Sequence, residues 1–129
     1  MATVTIDFND LPIQRSFTLK QGDTLLEPLH FQIRAEAATT YSNLTFVGCT
    51  LRLNVKKGST TVINRTALTP DVASEGKFTL LIAAATTATW TGEYSYEVET
   101  TFPTSHTNFP SGAVKTIIEG RIRVTPDIG

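Results

Sequence analysis

The chain has 129 residues, a formal net charge of −1, 18% charged residues and a single cysteine. This length suits one domain of ordinary size with its own hydrophobic core. The balanced charge provides no field that would attract nucleic acid or an anionic membrane. One cysteine excludes an internal disulfide framework and a multi-cysteine zinc site. Composition therefore favours a passive globular module without a cofactor.

Threonine is the most informative part of the composition. The chain contains 23 threonines, and this β-branched residue suits a pleated, half-buried surface better than a helix. The N-terminus lacks the basic and apolar regions of a secretory signal, and the longest weakly polar stretch, 78–85, is too short to span a bilayer. We therefore expect an all-β protein that is made in a cytosol and has no membrane contact.

Alternating apolar and polar residues predict short strands along the whole chain. The first is residues 2–8, where Val4, Ile6 and Phe8 share one side. A threonine-rich stretch at 83–90 has helical character for one turn at most, and Gly120 suggests a bulge between the last two strands. The extended segments are predicted at 2–8, 15–19, 25–34, 49–55, 61–68, 77–82, 93–101, 114–118 and 121–124.

These eight or nine strands, separated by turn signals every 8–12 residues or so, predict a β-sandwich. No repeat or linker divides the chain, so residues 1–129 are expected to form a single domain. Residues 1–10 form an N-terminal strand or arm that either contacts a partner or pairs within its own sheet.

No residues have the spacing of a catalytic or metal site. The nucleophile elbow, the phosphate-binding loop and the zinc-protease motif are absent, and the carboxylates are scattered over turns and strand ends. His30 and His106 have no partner at ligand spacing. We therefore expect no catalytic residue, no cofactor and no metal, and the chain is not expected to be an enzyme.

One constellation around the second-last hairpin is more specific. Trp90, Gly92, Tyr94 and Tyr96 have the spacing of the tyrosine corner of immunoglobulin-like domains. Tyr94 would then be structural, with its hydroxyl bonded to backbone, and Tyr96 would take the core position that is a cysteine in antibody domains. Cys49 opens an alternating strand on its apolar side and is expected to be a small buried hydrophobe.

Four segments resemble a family of tailed-phage proteins. Residues 44–58 resemble a motif of that family in which a turn leads into a strand that ends in basic residues. Residues 75–98 resemble the family's next motif, which consists of a strand that begins with glycine, a helical turn and a strand with the pattern Gly-x-Tyr-x-Tyr. Residues 116–128 resemble the closing strand, and 17–31 resemble the opening Gly-Asp strand. Over roughly residues 11–128, the chain is similar to the immunoglobulin-like N-terminal domain of phage upper baseplate proteins and of related stand-alone virion proteins.

The resemblance implies an immunoglobulin-like β-sandwich and a non-enzymatic structural protein of a tailed-bacteriophage virion. Such a protein is an adaptor or assembly module of the tail or baseplate, made in the host bacterial cytoplasm. Its partners would be other virion proteins in a symmetric multicopy assembly, with neither nucleic acid nor a membrane. Two alternatives remain open: a capsid or neck decoration protein, and a glycan- or receptor-binding module.

Two loops and the N-terminal strand are the expected contact segments. The loops are 35–43 and 103–112, and the exposed aromatics that a glycan site would need are expected on or beside them. The candidate interface residues are Val4, Ile6, Phe8, Tyr41, Phe102 and Phe109.

Overall fold

A computed structural model describes residues 2–7, 10–35 and 37–127, and this part of the chain forms ten strands in two sheets. The expectation of an all-β, sandwich-like domain is confirmed. In chain order the strands are β1 (Ala2–Asp7), β2 (Ile13–Gln14), β3 (Phe17–Lys20), β4 (Leu25–Arg34), β5 (Ser42–Asn43), β6 (Thr50–Lys57), β7 (Thr60–Leu68), β8 (Lys77–Ile82), β9 (Gly92–Thr101) and β10 (Val114–Thr125).

Helical structure is confined to two short turns among the described residues. One is a 3-10 turn at Ala73–Glu75, and the other, α1, is a single α-helical turn at Ala84–Thr87. The prediction of at most one helical turn near 83–90 is confirmed. Thr87 ties this turn to the segment between β3 and β4, because its hydroxyl donates to the carbonyl of Asp23 at 2.5 Å.

The strands are divided between a four-stranded and a six-stranded sheet. In the smaller sheet, β4 pairs in parallel with β1 and in the antiparallel sense with β5 and β8. In the larger sheet, β10, β9, β6 and β7 follow one another in antiparallel order, and β2 and β3 join β10 in parallel. Each sheet buries one side against the other, which is how such elements remove their apolar surface from water.

The inward sides of the two sheets enclose one hydrophobic core. On the smaller sheet, Phe31 stacks on Phe78 with ring centroids 5.3 Å apart, and Phe46 meets both rings edge-on. The larger sheet contributes alternating positions, such as Leu53 and Val98, which are fully buried. Full burial of one such side chain contributes about 1.5–3 kcal/mol, so a core of this size needs no disulfide.

The N-terminal strand belongs to the smaller sheet. β1 pairs with β4 along the whole of Ala2–Asp7. Val4 and Ile6 are 5% and 1% exposed and lie in the core. The strand expected at residues 2–8 is therefore found at 2–7, and Phe8 lies outside the described residues.

The extended segment expected at 15–19 is found as β3 at Phe17–Lys20, and β2 at Ile13–Gln14 is a further short strand that was not predicted; both run along β10. Between them, the backbone N–H of Arg15 donates to the carbonyl of Glu119 at 2.9 Å. The backbone N–H of Arg121 donates to the Ser16 hydroxyl at 3.1 Å. In the gap between β2 and β3, the Ser16 hydroxyl thus takes the place of a backbone carbonyl as the acceptor for β10.

Gly120 has a different role from the one predicted. The sequence suggested a bulge there between two strands, but β10 is continuous, and the shift of register lies between Thr116 and Ile118. This shift turns two consecutive side chains, Ile117 and Ile118, into the core. Gly120 instead permits a close approach of backbones, because a β-carbon there would overlap the carbonyl of Arg15.

Candidate functional site

The segment predicted to form a tyrosine corner lies at the start of β9. The backbone N–H of Thr91 donates to the Tyr94 hydroxyl at 3.0 Å, and Trp90 stacks on the Tyr94 ring with centroids 4.5 Å apart. Gly92 has a φ of 92°, in the left-handed region that favours glycine. The Lys57 ammonium donates to the Thr91 carbonyl at 2.7 Å and lies over the Tyr94 ring. All these contacts are made within the domain.

Tyr96 of β9 reaches across β10 to the segment between β2 and β3. Its hydroxyl donates to the carbonyl of Arg15 at 2.5 Å, and its ring lies 5.7 Å from that of Phe17. Its register partner on β10 is Gly120, whose missing side chain leaves room for this crossing backbone. Burial raises the pKa of Tyr96 above its ordinary value.

Cys49 lies immediately before β6 and is partly buried against the core. Burial raises the pKa of its thiol to about 11. Its sulfur lies 3.9 Å from the carbonyl oxygens of Thr45 and Val47, as expected of a weak donor. The thiol therefore stays protonated at neutral pH and is a poor nucleophile.

The predicted contact residues on β1 do not form an exposed surface. Val4 and Ile6 occupy the inward positions of an alternating edge strand, so their side chains are buried in their own sandwich.

Tyr41, another predicted contact residue, is 37% exposed. Its hydroxyl donates to the Asp7 carboxylate at 2.6 Å, and this bond is the main reason that the pKa of Tyr41 is raised. Arg34 lies over the Tyr41 ring and pairs with Asp7 at 2.8 Å.

The segment after β9 is organised by an aromatic cluster. Phe102 is 1% exposed, so the expectation of an exposed aromatic there is wrong; Phe109 and His106 pack on its ring with centroids 4.7 and 4.6 Å away. His106 Nδ1 accepts from the backbone N–H groups of Asn108 and Phe109, both at 3.1 Å. Its Nε2–H therefore donates to the Thr45 carbonyl at 2.8 Å, a tautomer assigned from these bonds.

Two apolar hollows remain open at the surface. One, of about 250 Å³, is lined by Phe109 and Val114 together with Leu11. The other, of about 380 Å³, lies between the edge strands β7 and β8 and includes Val62 and Leu81. Exposed apolar side chains of this kind often mark contact surfaces, although singly they are normal on any protein.

The outward side of the six-stranded sheet has the most ordered arrangement of charges. Strand register places Glu97 of β9 directly opposite Glu119 of β10 and opposite Asn54 of β6, and Glu119 is opposite Gln14 of β2. We call Asn54, Glu97, Glu119 and Gln14 the acidic row. It crosses four strands at right angles to their direction, because directly opposed residues point to the same side of a sheet.

A second row runs beside the first. Register places Ser95 of β9 opposite Lys56 of β6 and Arg121 of β10, and we call these three residues the basic row. Each member is two residues from its counterpart in the acidic row, which separates the rows by about 7 Å. Because Ser95 is small, two open hollows lie beside it. The hollow of about 480 Å³ is lined by Arg121 and Glu119, and the hollow of about 180 Å³ is lined by Lys56, Glu97 and Glu119.

The acidic row is only partly neutralised within the domain. Glu97 accepts hydrogen bonds from Asn54 and Thr116, both at 3.4 Å, and Glu119 accepts one from Gln14 at 2.9 Å. Within the described residues, neither carboxylate belongs to an ion pair. Like charges placed directly opposite in a sheet destabilise it, so this arrangement has a local cost.

Sequence reasoning did not find this surface. The alternation along 93–101 was used to place Tyr94, Tyr96 and Val98 in the core, and it also puts Glu97 on the opposite side. The partner of Glu97 on β10, however, depends on the register shift near its middle, which the sequence does not reveal.

Other kinds of site are not found in the described part of the chain. No group of three or more histidine, cysteine, aspartate or glutamate residues there could hold a metal ion. None of the helices in residues 2–7, 10–35 and 37–127 is long and apolar enough to cross a membrane.

Neither a protein-family model nor a curated protein sequence matches the chain. Among solved structures, it is similar to the N-terminal domain of phage TP901-1 ORF48, with a TM-score of 0.54 at 10% sequence identity. The match covers 96% of this chain and 97% of that one. At this identity the likeness shows a shared fold, and it extends over nearly the full length of both domains.

Proposed function

We propose that the chain is a non-enzymatic structural protein of a tailed-phage virion, an immunoglobulin-like adaptor or assembly module of the tail or baseplate. The observation that carries the proposal is the fold shared with the N-terminal domain of phage TP901-1 ORF48 over nearly the whole of both chains. The resemblance of sequence motifs in this chain to those of phage upper baseplate proteins supports the same role. In this role the protein is made in the host bacterium and incorporated into the particle.

The mechanism of such a module is surface complementarity repeated by symmetry. This mechanism needs no cofactor and no catalytic group. The partners are other virion proteins, and the balanced net charge of −1 favours them over nucleic acid or an anionic membrane. We expect contact through the outward side of the larger sheet and through the loops at 35–43 and 103–112.

The geometry favours this role over a glycan-binding one. A glycan platform needs exposed aromatic rings, but Phe102 is buried and Phe109 packs on it. Tyr41 is held by Asp7 and covered by Arg34. A capsid or neck decoration protein would use the same fold, and its position and copy number on the particle separate it from a tail module.

Immunogold electron microscopy tests the proposal. Antibody raised against the folded chain is applied to intact and mildly disrupted particles of the phage that encodes it, with antibody depleted on the pure protein as the control. We expect gold at the tail tip. Gold over the head or neck would replace the tail placement with a decoration role, and unlabelled intact and disrupted particles would overturn the virion assignment.

A further inference from the structure

We propose that the outward side of the six-stranded sheet is a self-association surface, and that its partner is a second copy of this chain. The inference deepens the proposed function, on which its biological setting rests, by naming one neighbour in the assembly. Its physical basis is the pair of adjacent rows with opposite charge, the basic row and the acidic row.

The two rows are complementary to themselves under a twofold rotation. When two copies face each other, an axis parallel to the rows and midway between them places each basic row on the partner's acidic row. Positions along the rows are preserved by this rotation, so residues of β10 meet residues of the partner's β10. Arg121 then lies over the partner subunit's Glu119, and Glu119 lies under the partner's Arg121, giving two equivalent contacts.

The remaining members of the rows fit the same rotation. Lys56 of β6 lies over the partner's Asn54, beside the partner's Glu97, and it has no side-chain partner among the described residues of its own chain. Ser95 lies under the partner's Glu97, and its small side chain leaves space for that carboxylate. The second copy thus provides cations for two carboxylates that lack ion pairs in the monomer.

Arg121 can make this contact without losing its own. Its guanidinium lies 3.2 Å from the Glu93 carboxylate in the monomer, and both side chains are mostly exposed. A guanidinium has five N–H donors, so it can bind Glu93 and the partner's Glu119 together. The open hollow of about 480 Å³ beside Glu119 and Arg121 gives the long side chain of the partner room to enter.

A contact of this composition is expected to be weak and sensitive to salt. Its charges stay near water, where screening shortens their reach from about 30 Å at 0.01 M salt to about 3 Å at 1 M. Complementary charges of this kind determine orientation and register more than affinity. Such an interface suits copies that a larger assembly already holds close together, because the local concentration is then high.

Sedimentation velocity on the intact chain gives the first test. We expect a concentration-dependent dimer at about 0.01 M salt that dissociates at about 1 M salt. A chain that stays monomeric at low salt up to high protein concentration would overturn the proposal, as would a dimer that does not respond to salt.

Charge exchange gives the decisive test. Glu119→Arg and Arg121→Glu should each weaken dimerisation by about 100-fold or more, because each places like charges in contact. The double variant should regain the dimer, and a mixture of the two single variants should form a heterodimer in which every contact is again complementary. Glu75→Lys, a reversal on the other side of the domain, is the matched control and should dimerise like the parent chain.

Further readouts keep the outcome unambiguous. Lys56→Glu, at the other end of the basic row, should also weaken the dimer, and circular dichroism establishes that each variant is folded. Single variants that dimerise as well as the parent chain, or a double variant that stays monomeric, would contradict the proposed pairing. If the protein were absent from virions, the proposed function would be overturned, but a dimer measured in solution would stand. The two proposals can therefore fail separately.

Discussion

Glu97 of β9 and Glu119 of β10 lie directly opposite each other on the outward side of the larger sheet, and within the described residues neither is in an ion pair. Like charges in this position weaken a strand pair. The pair therefore does not serve the stability of the isolated domain. It is better explained by a contact with another molecule, which the isolated domain does not make.

The cost of the carboxylate pair can be measured directly. Glu97→Gln removes one charge and retains an oxygen that can accept from Asn54, so we expect the free energy of unfolding to rise by about 0.5 kcal/mol. Urea unfolding at low salt, at a protein concentration low enough to keep the chain monomeric, measures this gain, which should shrink at high salt as the repulsion is screened. Glu93→Gln, which breaks the pair with Arg121, is the control and should give no gain; a loss of stability in Glu97→Gln would contradict the interpretation.

The close approach at Gly120 predicts a severe effect of the smallest substitution. Gly120→Ala would press a methyl group against the backbone of Arg15, and the chain must shift to relieve it. We expect the free energy of unfolding to fall by about 2 kcal/mol or more in urea titrations. Ser95→Ala, on the outward side of the neighbouring strand, should stay within about 0.5 kcal/mol of the parent; an equal effect of both changes would refute the packing argument.

The Tyr96 hydroxyl predicts a smaller loss. Tyr96→Phe removes the donor from the partly buried carbonyl of Arg15, and we expect a loss of about 1–2 kcal/mol in the free energy of unfolding. Tyr94→Phe is the matched comparison. Its backbone partner is the N–H of Thr91, a residue that is exposed, so water can replace the hydroxyl and the loss should be smaller. The reverse order would contradict the prediction that the bond from Tyr96 to Arg15 contributes more to stability than the bond at Tyr94.

The partly buried thiol of Cys49 gives a prediction about reactivity. Because burial raises the pKa of Cys49 to about 11, the folded chain retains the thiol proton at pH 8, and the thiolate is the reactive form. Alkylation at pH 8 should be about a hundredfold or more slower in the folded protein than in denaturant, and it should accelerate as pH rises towards 11. The chain has one cysteine, so mass spectrometry assigns the product directly. Equal rates in the two states would contradict the burial.

The sequence predicted the elements better than their arrangement. Period-two alternation located β4 and β8 at their observed positions, because each strand turns one apolar side inward. The exposure of Phe102 was mispredicted, because its burial depends on His106 and Phe109 folding back over it. The rows on the larger sheet were missed, since they exist only through the pairing register of β6, β9 and β10 and, for the acidic row, of β2.

The role of Gly120 illustrates the same limit. Glycine in a strand indicates either a bulge or a close approach of backbones, and the sequence does not decide between them. The choice depends on Arg15, which is more than 100 residues away along the chain and crosses β10 only in the folded domain. Local pattern therefore predicted a special backbone position and misidentified its cause.

The central claim, that this chain is a structural component of a phage particle, is tested most directly by quantitative mass spectrometry of density-purified virions. We expect the chain to be present at a constant ratio to the major capsid protein across the infectious fractions, and we expect this ratio to survive a high-salt wash because neighbouring virion proteins hold the chain in place. Its absence from the particles, or a ratio that varies from fraction to fraction, would contradict the account.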